Sequence, residues 1–432
     1  MSRESPSCLP AGGRDAAPVP WLLAAVLGIY VVLTAAFIWR TPPGSAPDER
    51  AHLAYVEHLA TKHALPIFDA GLQGYEAHQP PLYYALAAPA YWLAAGHGQA
   101  AAMYAVRVVS ALIGAGVIYV LFLVGRCVFP DVGSAQVATA AVGAFVPMHV
   151  ALFAAVSNDG LLVLFATLVL YLSLRAVGEG LSPGRAALLG VVLGLGLLTK
   201  TAILPFAAVA LVAVVVGMRR AEGLVWVVVG KRLGLLVGAA VLLSGWWLVR
   251  NVALYGDPLA LGRFVEAFSR SAHPPSYFGE YGLLSAWQFR LLFVLLTHFG
   301  FWGIFGNLEE YMPWWFYGLG AGLALLAVFG LVGLRRAAWR PRGEHLLLLA
   351  LAAALVVASY LGFNMRFFQA QARYLFPAMG AYACFAVMGW RALLGERWGN
   401  VLVVVALAAM VLMSLGVLWP DLRVPHEEFW EI

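Results

Sequence analysis

The chain has 432 residues, of which 62% are apolar and only 11% charged, with a net charge of +5. A mean hydropathy of +0.83 exceeds what a soluble core can hide and makes this a polytopic membrane protein, while basic residues scattered among loops exclude a nucleic-acid-binding patch. Cys8, Cys127 and Cys384 show neither metal-ligand nor paired spacing, so a disulfide framework is excluded and they read as packing residues.

In chain order, a polar tail over residues 1–20 precedes the first apolar run, Trp21 to Trp39. That run is too long for a signal-peptide core, and Arg40, Thr41 and Pro42 stand where a small-residue cleavage site belongs, so it predicts a retained anchor. Ser45-Ala46-Pro47-Asp48 then reads as a helix start. Leu53, Val56 and Leu59 or Ala60 recur at helical spacing, which predicts an amphipathic interfacial helix with Glu49, His52 and Glu57 facing water.

The turn His78-Gln79-Pro80-Pro81 introduces the short apolar segment 80–95, better suited to a re-entrant or interfacial helix than to a crossing. Further runs begin near Ala102, Ala135, Gly160, Arg185, Thr201, Leu233, Phe316, His345, Tyr374 and Val401. They predict an all-α transmembrane bundle of about eleven spans, in a range of about 10 to 13, with segment 283–305 ambiguous. A short acidic tail, 420–432, follows the membrane unit 21–419.

With the N-terminus placed in the cytoplasm, the inner side holds fifteen of the 27 basic residues and seven of the 22 acids, a net of +8 that leaves −3 outside. The densest clusters, Arg219 to Arg232 and Arg335 to Arg342, lie in short inner loops, where the positive-inside rule has most force. This topology puts the C-terminus and the two long loops, 40–101 and 251–315, on the extracytoplasmic face of the cell membrane.

The same topology gathers costly polar groups at one rim: Asp48 and Glu49, Asp159, Lys200, Arg250 and Asn251, Arg366, Gln371 and Arg373. Each has a plainer reading. Asp48 fits the third helical residue of a capping box with Ser45, Lys200 and Arg373 fit snorkelling anchors, and Arg250-Asn251 after a Trp pair fits an aromatic belt. His52 lies four residues after Asp48 and three after Glu49, a metal-compatible spacing, yet a satisfied surface histidine is the simpler account. A divalent metal has no firm support in the sequence.

The ordered series Asp48-Glu49, Glu76-Ala77-His78-Gln79-Pro80-Pro81-Leu82-Tyr83-Tyr84, Ser157-Asn158-Asp159, Leu197-Leu198-Thr199-Lys200, Arg250-Asn251 with Tyr255-Gly256-Asp257-Pro258, and Gln371-Ala372-Arg373-Tyr374-Leu375-Phe376-Pro377 resembles the GT-C glycosyltransferases. The resemblance points to the bacterial relatives of protein O-mannosyltransferases and of the aminoarabinose and lipopolysaccharide-core sugar transferases. It implies inverting transfer of a sugar from a polyprenyl-phosphate donor to a hydroxyl of a lipid, glycan or protein acceptor on the extracytoplasmic face.

On that resemblance Asp48 is the base and Glu49 its catalytic or orienting neighbour. Lys200, Arg250 and Arg373 meet the donor phosphate, and Asp159 orients the acceptor or helps hold a metal. His78, Gln79, Tyr83, Asn251, Gln371 and Tyr374 complete the substrate site. The chemistry accounts for the residue types: a hydroxyl needs its proton taken, and a departing lipid phosphate needs fixed cations. A transporter or flippase of lipid-linked saccharides is a competing reading, opposed by charges that gather at a rim rather than at the midplane. A noncatalytic envelope-assembly protein is a third.

Overall fold

The computed structural model describes residues 19–68, 75–221, 225–268, 273–337 and 339–429. Its order is α1 (Val19–Arg40), α2 (Glu49–Lys62), α3 (Leu82–Ala95), α4 (Gln99–Val128), α5 (Gly133–Phe145), α6 (Pro147–Phe153), α7 (Asp159–Glu179), α8 (Pro183–Leu197), α9 (Leu204–Ala221) and α10 (Trp226–Tyr255). Then come α11 (Leu261–Phe268), α12 (Pro275–Glu280), α13 (Ala286–Trp302), α14 (Trp314–Leu331), α15 (Gly343–Asn364), α16 (Met379–Leu393), α17 (Gly395–Val417) and α18 (His426–Phe429). The protein is an all-α, multi-pass membrane protein.

Among the described residues, eight helical segments are long and apolar enough to cross a bilayer, and the bent pair α5 and α6 makes a ninth. Of the about eleven crossings expected from the apolar runs, eight, or nine with the bent pair counted as one span, are thus supported by length and composition. α8 and α16 have 15 residues each, which at 1.5 Å per residue covers about 22 Å of a roughly 30 Å hydrocarbon core. The run from Tyr374 opens as a 3₁₀ turn, Ala372–Ala378, and becomes α-helical only after Pro377, whose ring and missing N–H oppose an earlier α start. Pro147 likewise holds Val146 extended, and α5 meets α6 at 68°.

Backbones approach closely where glycine permits it. A Cβ on Gly389 of α16 would stand 1.9 Å from Ala327 O of α14, and one on Gly190 of α8 would stand 2.1 Å from Leu236 O of α10. Helices in lipid associate largely through such tight packing.

Most of the described residues between α1 and α4 are helical. α2 carries the expected stripe, with Leu53, Val56 and Ala60 buried. It buries its other expected polar face as well: Glu49 is 0% and His52 2% exposed, which corrects the picture of an interfacial helix wetting both. The segment 80–95 folds as short α3, and the ambiguous 283–305 holds α13, started by a capping box between Ser285 and Gln288.

The acidic C-terminal segment docks rather than hanging free. β1 (Glu310–Tyr311) pairs antiparallel with β2 (Val424–Pro425), and Arg423 Nη1 donates to Glu310 Oε2 at 2.5 Å. Phe429 is buried against Tyr311 and Trp314, with centroid separations of 4.5 and 4.7 Å.

Candidate active site

Chain segments far apart in sequence bring Asp48, Asp159, Lys200 and Arg373 together around one cavity. Asp159 opens α7, Lys200 follows α8, and Arg373 stands in the 3₁₀ turn before α16. Lys200 Nζ donates to Asp159 Oδ1 at 2.5 Å, Arg373 Nη1 lies 3.7 Å from Asp159 Oδ2, and Arg373 Nη2 donates to Asp48 Oδ2. Asp159 and Arg373 are buried, while the Asp48 side chain keeps 38% of its surface open. A pair of cations is thus set between two carboxylates, one of them accessible.

Asp48 is the N-cap residue of α2, with φ 60° in the left-handed region and no side-chain capping bond. The capping-box alternative is therefore not realised: Ser45 Oγ donates to Pro42 O, and the Asp48 carboxylate makes no capping bond and accepts from Arg373. An aspartate in this conformation costs on the order of 1–3 kcal/mol, which the surrounding contacts must offset.

The cavity has a volume of about 310 Å³ and is also lined by His52, Glu76, His78, Gln79 and Tyr374. Its other walls are apolar, from Leu162 and Val163 of α7, Pro205 of α9, and Val356, Tyr360 and Phe363 of α15. A second cavity of about 1140 Å³ shares Asp48 and Glu76 and runs along Arg50, Tyr55, His58 and Lys62 of α2. Asp48 stands where the two meet.

Two titratable groups of the cavity, Glu76 and His52, are not among the expected site residues. Glu76 is buried, and burial pushes its pKa up to about 7, with Lys200 pulling it back. His52 is held down to about 3 by burial, opposed by the charge of Asp48, so it is neutral near pH 7. Its Nδ1 is 2.8 Å from the Tyr84 hydroxyl and 3.9 Å from Glu76 Oε2. His52 is a buried residue of the cavity wall, not a surface histidine. Among the described residues no group of three or more His, Cys, Asp or Glu side chains is arranged to hold a metal ion.

The other expected residues divide. Gln79 Oε1 accepts from Asn158 Nδ2 at 3.3 Å, and His78 packs between Phe68 and Phe264, both on the cavity side. Tyr83 is fully buried, its hydroxyl 2.8 Å from Ser110 Oγ and accepting from Ser157 N, so Tyr84 rather than Tyr83 reaches the cavity group His52. Arg250 Nη2 donates to Pro66 O and its guanidinium lies 4.8 Å from the ring of the buried Trp247, a cation–π contact. Asn251 donates to Pro258 O, and Gln371 lines a separate small cavity behind Arg373.

Arg250, Asn251, Gln371 and Tyr83 thus border the site without lining its main cavity. Glu49 is wholly buried and bound by Arg107, Gly44 N and Val156 N.

Residues 78–247 match the family model of dolichyl-phosphate-mannose-protein mannosyltransferases. The matched stretch contains His78, Gln79, Asp159 and Lys200; Asp48 and Arg373 lie outside it. The fold is similar to that of ArnT from Cupriavidus metallidurans bound to undecaprenyl phosphate, at 17% identity and a TM-score of 0.59 over 93% of this chain and 77% of that one. It is also similar to the Archaeoglobus fulgidus oligosaccharyltransferase in complex with zinc and sulfate, at 16% identity and a TM-score of 0.52 over 91% of this chain and 52% of that one. No curated protein matches the sequence.

Proposed function

We propose that this chain is a membrane glycosyltransferase of the GT-C type that draws on a lipid-phosphate-linked sugar and carries out inverting transfer to an acceptor hydroxyl, with Asp48 as the base. The observation that carries the reading is the accessible Asp48 carboxylate at the junction of two cavities, beside a cation pair.

The smaller cavity suits the donor. Its apolar walls between α7, α9 and α15 fit a polyprenyl tail, and its polar end presents Lys200 and Arg373 to a phosphate. An arriving phosphate competes with Asp48 for Arg373. The exchange would free the carboxylate as a base while placing the guanidinium where leaving-group charge grows. His78, Gln79 and Tyr374 then face the sugar, and the undecaprenyl phosphate held by the Cupriavidus relative supports a polyprenyl carrier.

The larger, more polar cavity suits the acceptor, which reaches Asp48 from the side opposite the donor, as inversion requires. The distribution of basic residues supports an extracytoplasmic site, with the N-terminus in the cytoplasm, the C-terminus outside and residues 21–419 as the catalytic unit in envelope glycan or glycoconjugate modification.

Incubating the purified protein with a panel of polyprenyl-phosphate sugars and following release of polyprenyl phosphate tests the reading. Acceptor-dependent release of polyprenyl phosphate is expected. Saccharide flux across proteoliposomes without covalent transfer would overturn it in favour of transport.

A further inference from the structure

We propose that Arg107 and Glu49 are a positioning pair that sets Asp48 and Asp159, and that Glu49 itself transfers no proton. The inference rests on Asp48 acting as the base.

Arg107 is a fully buried cation inside α4. All five of its N–H donors are used: Nε and Nη2 donate to the two Glu49 oxygens at 2.7 Å each, Nη1 to Ile38 O and Thr41 O at 3.1 and 2.7 Å, and Nη2 to Pro42 O at 3.0 Å. The three carbonyls lie at and beyond the C-terminus of α1, where a cation is favoured, and Glu49 lies in the first turn of α2, where an anion is. One ion pair therefore ties together both ends of the 41–48 loop.

Glu49 is saturated in turn. Besides Arg107 it accepts from Gly44 N at 2.9 Å and Val156 N at 3.0 Å, four bonds that occupy a carboxylate's accepting capacity. No lone pair remains for a substrate proton. The Gly44 bond fixes the middle of the loop that delivers Asp48 in its left-handed conformation. The Val156 bond fixes the start of the Ser157-Asn158-Asp159 turn, and Ser157 N donates in addition to Tyr83, whose hydroxyl meets Ser110 of α4 one turn from Arg107. Asp48 and Asp159 are thus hung from one face of one helix.

Stability alone does not call for this arrangement. A buried ion pair returns little net free energy once desolvation is counted, and well-packed apolar replacements are often neutral. What an apolar pair lacks is the three directed bonds into the loop, from Arg107 to Thr41 O and Pro42 O and from Gly44 N to Glu49.

Three variants test the proposal: Glu49→Gln, Arg107→Lys, and the volume-matched apolar double Glu49→Leu with Arg107→Met. Turnover of Glu49→Gln should fall by about 10²-fold, the order expected for a misplacement near 1 Å. Its polyprenyl-phosphate Kd should stay within about twofold, as should KM for the donor, and the acidic limb of the kcat/KM pH profile should keep its midpoint. Arg107→Lys should fall between it and the wild type. The apolar double should regain thermal stability in detergent without regaining turnover. Near-wild-type turnover in Glu49→Gln, loss of the acidic limb in that variant, or recovery of turnover in the apolar double would each overturn the proposal. Wild-type turnover in Asp48→Asn would instead overturn the base assignment, and leaves the Glu49→Gln comparison readable by itself.

Discussion

Arg373 donates to Asp48 across 325 positions of sequence while its other terminal nitrogen lies 3.7 Å from Asp159. One guanidinium thereby links the accessible carboxylate to the buried one. A carboxylate held in a charge-assisted hydrogen bond is a weak base, so on the proposed function this contact has to open before Asp48 can take a proton. The donor phosphate is the natural competitor for Arg373.

Asp48→Asn should reduce sugar transfer by about 10²- to 10⁴-fold, the range for a lost general base. Folding should survive, because Asn is among the residues that tolerate φ near 60°, and the amide oxygen still accepts from Arg373. Polyprenyl-phosphate release by the purified variant, read beside its thermal unfolding in detergent, checks both halves. Retained turnover would falsify the base assignment.

Arg373→Lys should cost turnover by about 10²-fold, because one ammonium cannot bridge two carboxylates as a planar guanidinium does. Lys200→Met should act differently. It removes the closest partner of buried Asp159, so a loss on the order of 3 kcal/mol of stability is expected together with a raised donor KM. Equal effects of the two variants on KM and kcat would contradict the division of labour between them.

Glu76 and His52 give opposing pH dependences. Glu76 binds its proton up to about pH 7 when folded, against an ordinary carboxyl value of 4.5, so its contribution to stability is complete below 4.5 and lost as pH rises through about 7. His52 is depressed from 6.5 to about 3, so its contribution is complete above 6.5 and lost as pH falls toward 3. Between about pH 4.5 and 6.5 the two slopes cancel. Glu76→Gln should uncover the His52 slope, roughly 1.4 kcal/mol gained per pH unit in that window, and remove the decline near neutrality. Parallel stability-against-pH curves for wild type and variant would rule this out.

Much of this was legible in the chain. The rim residues Asp48, Asp159, Lys200 and Arg373 stand out because charge is costly at a membrane edge, and they do converge. Tyr83 and Tyr84 were not separable, because adjacent helical positions differ by about 100° in direction and only the packing of α3 decides which faces the cavity. His52 and Glu49 were misplaced in water because a 14-residue helix with mixed polarity does not reveal that its polar face meets protein. Arg107 carried a signal that went unused: a lone cation several residues inside an apolar span has to find partners. Eight or nine of the expected spans are long and apolar enough among the described residues, and hydropathy does not see where Pro377 delays a helix or where α8 ends.

Gly389→Ala tests the packing of α16, the helix that follows the turn bearing Arg373, against α14. The added methyl would meet Ala327 O at 1.9 Å, and that carbonyl belongs to helical backbone that cannot rotate away as a side chain would. α14 and α16 must separate, at a cost of about 1–3 kcal/mol or more for overpacking. Gly245→Ala is the control, since the nearest heavy atom to its Cβ is Val241 Cγ1 at 3.4 Å, an ordinary contact. Thermal unfolding in detergent should show a clear drop for the first and little change for the second. Because α16 follows directly on the turn bearing Arg373, turnover of Gly389→Ala should fall as well, whereas a purely local strain would leave it untouched.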